Sequence, residues 1–254
     1  MINLSSTDTG SGEPILLIHG FPFHQLIWEE YVGRLSDSFR VLTVDLPGFG
    51  KSPSLPSPFS LGQVADTLLS FIASKNLNAL SIVGHSLGGY VALAMVEKRP
   101  ELFSSLVLFH STAYADSDEK KESRTKVIDF VRKNGALPFT SGFIPPLFAD
   151  PTHPAIKKVT EIASQATAEA VIGYTVAMRE RKDQIKTLES FKNPTLFLAG
   201  ESDPGIPVDS IRKQAASCQK PEIHIFEKVA HMGMFEKPAE TASKIKGFVM
   251  KSNT

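Results

Sequence analysis

The segment Gly84-His85-Ser86-Leu87-Gly88 constrains the fold of this chain more than any other feature. It has the form G-x-S-x-G and lies between an apolar run at 80–83 and a helical pattern at 90–96. A serine on so sharp a strand-to-helix turn takes strained backbone angles, and its neighbours two positions away must lack bulk. Gly84 and Gly88 meet that requirement. The alternative is a glycine-rich turn with an incidental serine, so the rest of the chain has to decide.

The turn predicts chemistry at Ser86. It lifts the hydroxyl above the sheet edge and places the backbone N–H of Leu87, at a helix start, where it can meet a developing oxyanion. A serine hydroxyl is a poor nucleophile unless a base removes its proton, so a histidine and a group that orients it are required.

Two later loops supply these groups. The run at 195–198 is typical of a buried strand and leads into a loop with Asp203, and the run at 223–226 leads in the same way to His231. The chain order is therefore Ser86, Asp203, His231. Asp209 competes for the role of the acid, and we interpret it as the cap of the following helix.

With these residues in place, the sequence resembles the α/β-hydrolase superfamily over nearly its whole length. The motifs that carry the resemblance are His19-Gly20-Phe21-Pro22, Asp45-Leu46-Pro47-Gly48-Phe49-Gly50-Lys51-Ser52, the elbow at 84–89, Gly200-x-x-Asp203 and Ala230-His231-Met232-Gly233-Met234-Phe235-Glu236. The resemblance implies a mostly parallel, twisted sheet of about seven or eight strands with helices on both faces and an inserted helical cap. It also implies that the N–H of Phe21 is the second oxyanion donor beside that of Leu87, and that no cofactor or metal takes part.

The alternation of strands and helices predicts the domain organisation. A capping box at Ser60 and Gln63 predicts a helix over 61–75. After the strand at 106–109 the alternation stops, and 111–190 contains amphipathic helical patterns at 117–134 and 167–181 without a convincing strand. We therefore expect residues 1–110 and 191–254 to form the hydrolase core and 111–190 to form the cap. Only one strand, around 2–6, is expected before the turn at 10–14, so the first of the family's usual eight is expected to be absent.

Several other side chains have expected roles. His19 is expected to brace the oxyanion loop, His224 to be structural, and His85 to shape the floor of the pocket. His110 ends a strand on the catalytic side, which makes it a candidate for substrate contact. Four apolar residues of the cap together indicate an apolar substrate cavity: Phe139, Phe143, Phe148 and Met178.

Composition narrows the partners. The 27 basic and 27 acidic residues give a formal net charge of +0, which disfavours nucleic acid and anionic membranes as partners. The N-terminal residues have neither a basic leader nor an apolar stretch, and no run approaches the ~18 apolar residues of a membrane span, so we expect a cytoplasmic location. The single cysteine, Cys218, excludes an intramolecular disulfide. No histidine or cysteine spacing indicates a metal site.

The predicted function is that of a serine hydrolase that cleaves a carboxylic ester or related acyl bond of a small, largely apolar substrate through an acyl-enzyme. Enol-lactonases and carbon–carbon bond hydrolases share the same triad and remain alternatives. Carrier-protein methyl ester esterases have a similar segment at 45–52, although the neutral charge offers no basic dock for an acidic carrier. A small-ligand receptor with a slow triad is the alternative of another class.

Overall fold

The computed structural model describes residues 2–252, and its centre is a seven-stranded sheet. The strands are β1 (Ser6–Thr9), β2 (Pro14–Ile18), β3 (Arg40–Val44), β4 (Leu80–His85), β5 (Phe103–Phe109), β6 (Thr195–Gly200) and β7 (Pro221–Phe226). Their order across the sheet is β1-β3-β2-β4-β5-β6-β7. Only β1 runs antiparallel to its neighbour, and the other neighbouring pairs are parallel. The predicted fold class is confirmed.

The edge strand β1 lies later in the chain than predicted. Its residues are polar and mostly exposed, and the hydroxyl of Thr7 lies 2.6 Å from that of Thr43 on β3. Leu4 packs into the core ahead of the ladder. The expected bounds rested on the room before the turn at 10–14, and the polar residues of an antiparallel edge strand with one face in water give no apolar pattern that would place it.

Alternate residues of the central strands pack on opposite faces of the sheet. On β2, Leu16 and Ile18 belong to one apolar cluster, whereas Ile15 and Leu17 belong to a second. Side chains on a strand alternate in direction, so a continuous apolar run indicates burial on both faces. Helices therefore cover both sides of the sheet.

The helices are interleaved with the strands along the chain. Their bounds are α1 (Glu29–Leu35), α2 (Leu61–Ser74), α3 (Leu87–Lys98), α4 (Asp118–Asn134), α5 (Ala136–Phe143), α6 (Ala155–Ala163), α7 (Ala168–Arg179), α8 (Ile185–Ser190), α9 (Val208–Ala215), α10 (Gly233–Glu236) and α11 (Pro238–Ser252). Buried residues of α2 and α3 join the first apolar cluster, and those of α1 and α11 join the second. Along the described chain no helix is long and apolar enough to cross a membrane.

The predicted helix signals are confirmed at three places. Ser60 and Gln63 form the reciprocal capping box at the start of α2. The hydroxyls of Ser117 and Thr167 accept backbone N–H groups at the starts of α4 and α7, and Gly135, with φ +80°, ends α4. Because each of these residues satisfies end groups that a helix leaves unpaired, they set the helix boundaries.

Residues 111–190 form the connection between β5 and β6, and we call them the helical segment. As predicted they contain no strand, and five helices, α4 to α8, make up most of their length. Tyr174 of α7 fastens the segment to the core, since its hydroxyl donates to the carbonyl of Pro47 at 3.0 Å and its ring lies 4.7 Å from that of Phe49. Residues 139–154, which are rich in proline and aromatic residues, contain the end of α5 and a short 3₁₀ turn, Pro145–Leu147.

Candidate active site

Ser86 lies on the turn between β4 and α3 with φ +50° and ψ −113°. This is a sparsely populated conformation for a residue other than glycine, and the surrounding bonds hold it in place. Its N–H donates to the carbonyl of Phe109 at 2.9 Å, and its own carbonyl accepts the Ser111 hydroxyl at 2.7 Å and the Gly89 N–H at 2.9 Å. The strained turn presents a half-buried hydroxyl at the ends of the strands.

The elbow glycines permit this turn by their lack of a side chain. A Cβ on Gly84 would lie 2.4 Å from the carbonyl oxygen of Gly88, and one on Gly88 would lie 2.3 Å from that of Ile18. Both neighbours are backbone atoms, which cannot move aside. The requirement for small residues on either side of Ser86 is therefore met by direct backbone contact.

Asp203 and His231 meet beyond the ends of β6 and β7. Asp203 Oδ2 lies 2.7 Å from His231 Nδ1, so the ring donates its Nδ1–H to the carboxylate and leaves Nε2 as the free base. The other oxygen, Oδ1, accepts the N–H groups of Gly205 at 2.8 Å and Ile206 at 3.1 Å. Burial raises the pKa of Asp203, but the interactions with His231 and His110, hydrogen bonds among them, outweigh it and hold the pKa well below its ordinary value. Asp203 is therefore an anion that fixes the tautomer of His231.

His110 supplies the second of those imidazoles. It is fully buried, with φ +48°, and its Nδ1 lies 3.2 Å from Asp203 Oδ2. The N–H of Gly233 points at Nε2 and that of Gly200 at Nδ1, each at 3.3 Å, so both ring nitrogens face a backbone donor. The carboxylate is the nearest partner of Nδ1, at 3.2 Å, and a proton on Nδ1 with Nε2 as acceptor is the neutral tautomer that gives the carboxylate a hydrogen bond. Burial lowers the pKa of His110, which keeps the ring neutral. The expected substrate contact is wrong, because His110 lies behind the acid and does not line the cavity.

Glu236 braces the loop that carries His231. Its carboxylate accepts the N–H groups of Ala230, at 3.1 and 3.2 Å, and Met232, at 3.2 Å. It also accepts the N–H of Ala149 in the helical segment at 2.8 Å, while the N–H of His231 donates to the carbonyl of Leu147 at 2.9 Å. Charge-assisted bonds of this kind are stronger than neutral ones. No role for Glu236 was predicted, although this residue ends the motif that identified His231.

His19 and His224 are structural, as expected. His19 is buried, with Nδ1–H donating to the Gly20 carbonyl at 2.8 Å and Nε2 accepting the Leu46 N–H at 2.9 Å, so it braces the loop before Phe21 as expected. Burial lowers the pKa of His19 to about 4. His224, in β7, lies 3.4 Å from a carboxylate oxygen of Glu240.

Two expectations about neighbouring residues are wrong. His85 does not shape the pocket floor: it is fully buried, and its Nε2–H donates to the carbonyl of His231 at 3.0 Å, so it supports the base from below. Asp209 does not cap α9, because Pro207 is the N-cap and Asp209 lies exposed in the first turn. An acidic side chain in the first turn is favoured by the helix dipole without forming a cap.

The backbone N–H of Leu87, next to Ser86 in the chain, and that of Phe21, which lines the same cavity, have no acceptor in a turn or loop of the described residues. Leu87 is the first residue of α3, so its N–H has no partner within the helix. Phe21 follows the His19-Gly20 turn and lines the same cavity as Ser86. Among the described residues neither group donates a turn or loop hydrogen bond. Such free donors at a nucleophile are suited to hold an oxyanion.

A cavity of about 400 Å³ contains Ser86, Asp203 and His231. Its other lining residues are Phe21, Tyr90, Lys120, Arg124, Gly142, Phe143, Pro146, Leu147, Met178, Pro204, Gly205 and Ile206. The structure thus brings Phe143 and Met178 to the site, as expected. It places Phe148 elsewhere, with its ring stacked 5.1 Å from that of His153, and Phe139 packs 5.2 Å behind Phe143. A larger cavity of about 520 Å³ shares only Tyr90 with this one and contains none of the three predicted triad residues.

The hydroxyl of Ser86 forms no hydrogen bond with the part of the chain that the structure describes. Ser86 and His231 face one cavity, but the contact between Oγ and Nε2 is not closed. Catalytic hydrogen bonds are often loose without substrate and tighten when it binds.

His110, Asp203 and His231 place three potential metal-ligand atoms within 4.8 Å of one another. Ligands around a tetrahedral zinc ion, each ~2.0–2.2 Å from the metal, lie about 3.3 Å or more apart. The 2.7 Å between Asp203 Oδ2 and His231 Nδ1 is too short for that arrangement and fits a hydrogen bond. The cluster is therefore a hydrogen-bonded acid with two imidazoles.

Residues 15–244 match the model of the alpha/beta hydrolase family. The chain belongs to this family. A thermophilic esterase from Thermogutta terrifontis, solved with malate bound, has 31% identity and a TM-score of 0.94, with 100% of this chain and 95% of that chain covered. A 2-hydroxy-6-oxo-6-(2'-aminophenyl)hexa-2,4-dienoic acid hydrolase from Metapseudomonas resinovorans is 25% identical over 253 residues, 96% of this chain and 86% of that protein.

A third relative matches over a shorter region. A pimeloyl-[acyl-carrier protein] methyl ester esterase from Nitrosomonas europaea is 36% identical over 112 residues, 44% of this chain and 42% of that protein. Proteins similar to this chain thus include two named as esterases and one named as a hydrolase of a dienoic acid.

Proposed function

We propose that this hydrolase cleaves a carboxylic ester, or a related acyl bond, of a small substrate through a covalent acyl-enzyme. Ser86 is the nucleophile, His231 the general base, and Asp203 the acid that orients it. The N–H groups of Phe21 and Leu87 form the oxyanion hole. Residues 111–190 act as a cap that closes the site from above.

One observation carries the proposal: Asp203 and His231, joined by a 2.7 Å hydrogen bond, line the same cavity as Ser86, whose backbone is strained. A serine at a strand-to-helix turn, an imidazole with a free Nε2 and an anion that fixes its tautomer make up a nucleophilic triad. Two free backbone donors at the same cavity complete the requirements for acyl transfer.

The mechanism follows from these positions. His231 Nε2 takes the proton of Ser86 Oγ as the oxygen attacks the acyl carbon, and the N–H groups of Phe21 and Leu87 bind the resulting oxyanion. The bond to the leaving oxygen then breaks, and the imidazolium returns its proton to that oxygen to release the alcohol. Water, deprotonated by His231, attacks the acyl-enzyme, and the bond to Ser86 Oγ breaks as the imidazolium returns its proton to that oxygen, which releases the acid and restores the free serine.

The volume and the lining of the cavity support the proposed class of substrate. Its volume of about 400 Å³ lies in the range of ordinary small-molecule sites, and aromatic and aliphatic side chains, including Phe21, Phe143 and Met178, make up much of its wall. A small molecule with an apolar portion fits this lining. The ester bond is preferred over other acyl bonds because of the likeness to the Thermogutta terrifontis esterase.

A fluorophosphonate probe tests the assignment of the nucleophile. Wild type should be labelled, whereas Ser86→Ala should fold normally and remain unlabelled. Ser202→Ala, an exposed serine next to the acid, is the matched control and should be labelled like wild type. Equal labelling of Ser86→Ala and wild type would exclude the proposed nucleophile.

Three alternatives use the same triad. Carbon–carbon bond hydrolysis is supported by the relative from Metapseudomonas resinovorans, and enol-lactone hydrolysis needs the same oxyanion hole. Both are tested by offering a 2-hydroxy-6-oxodienoate and an enol-lactone beside simple esters and ranking kcat/KM. A receptor with a slow triad is separated by p-nitrophenyl esters: continued turnover indicates an enzyme, and one slow acylation followed by stable modification indicates a receptor.

A further inference from the structure

Two cationic side chains line the cavity, whose other lining residues are mainly apolar apart from Ser86, Asp203 and His231. Lys120 and Arg124 lie four residues apart on α4 and both line the cavity that contains Ser86. Side chains at this spacing are neighbours on one helix face, where like charges destabilise a helix. Lys120 also lies in the first turn, where the helix dipole disfavours a cation. Helix stability therefore does not account for this pair.

Lys120 has no acidic partner in the described part of the chain. Its one hydrogen bond there is from Nζ to the carbonyl of Gly205, at 3.4 Å, on the loop that carries Asp203. The neighbouring Lys121 and Lys126, by contrast, form ion pairs with acids one turn earlier, Asp118 and Glu122. Among the described residues of α4, Lys120 and Lys133 form no ion pair with an acid, and of these two only Lys120 lines the cavity.

Arg124 is held by an ion pair, but not all of its nitrogens have a hydrogen-bond partner in the described chain. Its Nε donates to Asp116, whose other oxygen lies 2.6 Å from Arg181 Nη1. Burial raises the pKa of Asp116, yet the two guanidinium groups outweigh it and keep the pKa below its usual value. The buried carboxylate of Asp116 is thus shared by two guanidinium groups, so these three side chains together carry an excess positive charge. Within residues 2–252 the terminal nitrogens of Arg124 form no hydrogen bond.

We propose that Lys120 and Arg124 bind a carboxylate carried by the substrate. The proposal rests on the function proposed above and makes it more specific: the preferred ester is amphipathic, with an apolar spacer between the scissile ester and a free carboxylate. The spacer contacts Phe143, Met178 and Ile206, and the carboxylate takes the free donors of the two cations. Charge-assisted hydrogen bonds to a held guanidinium and an unpaired ammonium are the contacts that such an anion requires in a partly enclosed site.

Matched ester pairs test the proposal. One member of each pair is the monoethyl ester of succinic, glutaric or adipic acid, and the other has a primary amide in place of the free carboxyl, which keeps the shape and removes the charge. Wild type should hydrolyse at least one acid ester with a kcat/KM about 10- to 100-fold above that of its amide, and added salt should reduce this ratio. Lys120→Met and Arg124→Met should each lower the ratio about tenfold.

Two further variants control for charge and folding. Lys121→Met removes an exposed cation one residue away and should leave the ratio as in wild type. Lys120→Arg keeps the charge and should retain most of the preference. If wild type hydrolyses acid and amide esters equally, or if Lys121→Met lowers the ratio as much as Lys120→Met does, the carboxylate site is overturned while the esterase proposal stands.

A binding measurement separates this proposal from the proposed function. Calorimetry or NMR titration of Ser86→Ala with monoethyl glutarate and with its amide reports recognition without turnover. Tighter binding of the acid that disappears when Lys120→Met is added supports the carboxylate site even if no ester is hydrolysed, in which case the esterase proposal alone fails. Equal binding of acid and amide overturns the carboxylate site.

Discussion

The strand-end loops and the helical segment face each other across one cavity, and different forces hold them. Asp203, His110, His231 and Glu236 are linked to one another or to buried backbone groups by short hydrogen bonds. On α4 the charged side chains lie mainly at the surface, in pairs such as Lys126 with Glu122. Exposed pairs of this kind contribute only about 0–1 kcal/mol each.

The two regions differ in how strictly their geometry is determined. A buried network with neutral imidazoles around one anion has a single low-energy arrangement, which suits groups that must hold a reaction geometry. A surface of amphipathic helices tolerates substitution, since exchanging one exposed residue changes stability little. We therefore expect changes in the loops to alter rate and changes in the helical segment to alter selectivity.

The largest expected effect comes from the acid in the loops. Asp203→Asn should leave the fold and substrate affinity largely intact and lower kcat by roughly 10⁴, because the amide imposes the wrong tautomer on His231. Asp209→Asn, on the exposed first turn of α9, is the matched control and should have wild-type kcat. A large loss in Asp209→Asn together with a small loss in Asp203→Asn would reverse the assignment.

Lowering the pH should reduce the free energy of unfolding, and the buried histidines that cause this lie outside the helical segment. Burial holds the pKa of His19 at about 4, against 6.5 for an exposed histidine, so the unfolded chain binds more protons between these values. The free energy of unfolding should thus fall as pH is lowered from about 7 to 4, by about 3 kcal/mol from His19 alone. Burial holds the pKa of His85 and His110 below the ordinary value as well, which adds to the loss.

Urea unfolding at several pH values measures this dependence. His85→Gln should make the slope of stability against pH shallower, because one buried neutral imidazole is removed. Ser202→Ala, which removes no titratable group, should leave the slope as in wild type. A stability that does not change between pH 7 and 4.5 would contradict the buried neutral state of these rings.

The second donor to the acid should have a smaller effect on rate. His110→Ala removes the Nδ1–H bond to Asp203 and should lower kcat about 10- to 100-fold with little change in KM. His110→Asn should recover most of the loss, because an asparagine amide places an N–H near the position of Nδ1 and tolerates the φ of +48°. If both variants lose activity equally, the residue acts only through packing and the donor role is wrong.

The smallest expected effects lie in the helical segment. Phe143→Ala and Met178→Ala should shift the preference between short and longer acyl chains about tenfold, since a pocket contact to one methylene contributes ~1–3 kcal/mol. Phe148→Ala, whose ring lies outside the cavity, should lower stability without altering the chain-length profile. Profiles identical to wild type for both cavity variants would show that these side chains only pack the segment.

The sequence was sufficient wherever a local pattern carries the information. The strands β4 to β7, the helices α2, α4 and α7 and the loops that bear Asp203 and His231 follow from apolar runs, caps and glycines. The position of β1 did not follow, because an edge strand lacks the apolar alternation that marks a buried one. Whether Ser86, Asp203 and His231 act as a triad stays a prediction for the labelling and kinetic experiments.

Contacts between distant loops could not be predicted in the same way. His110 is 93 residues from Asp203 in sequence, and no spacing rule joins them. One signal did exist: β5 and β6 are neighbours and parallel, so residues just beyond their ends meet at the same edge. For Glu236 the signal was its place after the base, and its partners Ala230 and Met232 could be known only from the fold.

The bonds between the base loop and the helical segment limit how substrate can enter. His231 N–H is bound to the carbonyl of Leu147, and Glu236 to the N–H of Ala149, so this part of the segment cannot lift without displacing His231. On the opposite side, within residues 2–252, the one hydrogen bond between α4 and the Asp203 loop is the 3.4 Å contact between Lys120 and the Gly205 carbonyl. The segment should therefore pivot about residues 147–149, and substrate and product should pass between α4 and the Asp203 loop, where passage leaves the base undisturbed.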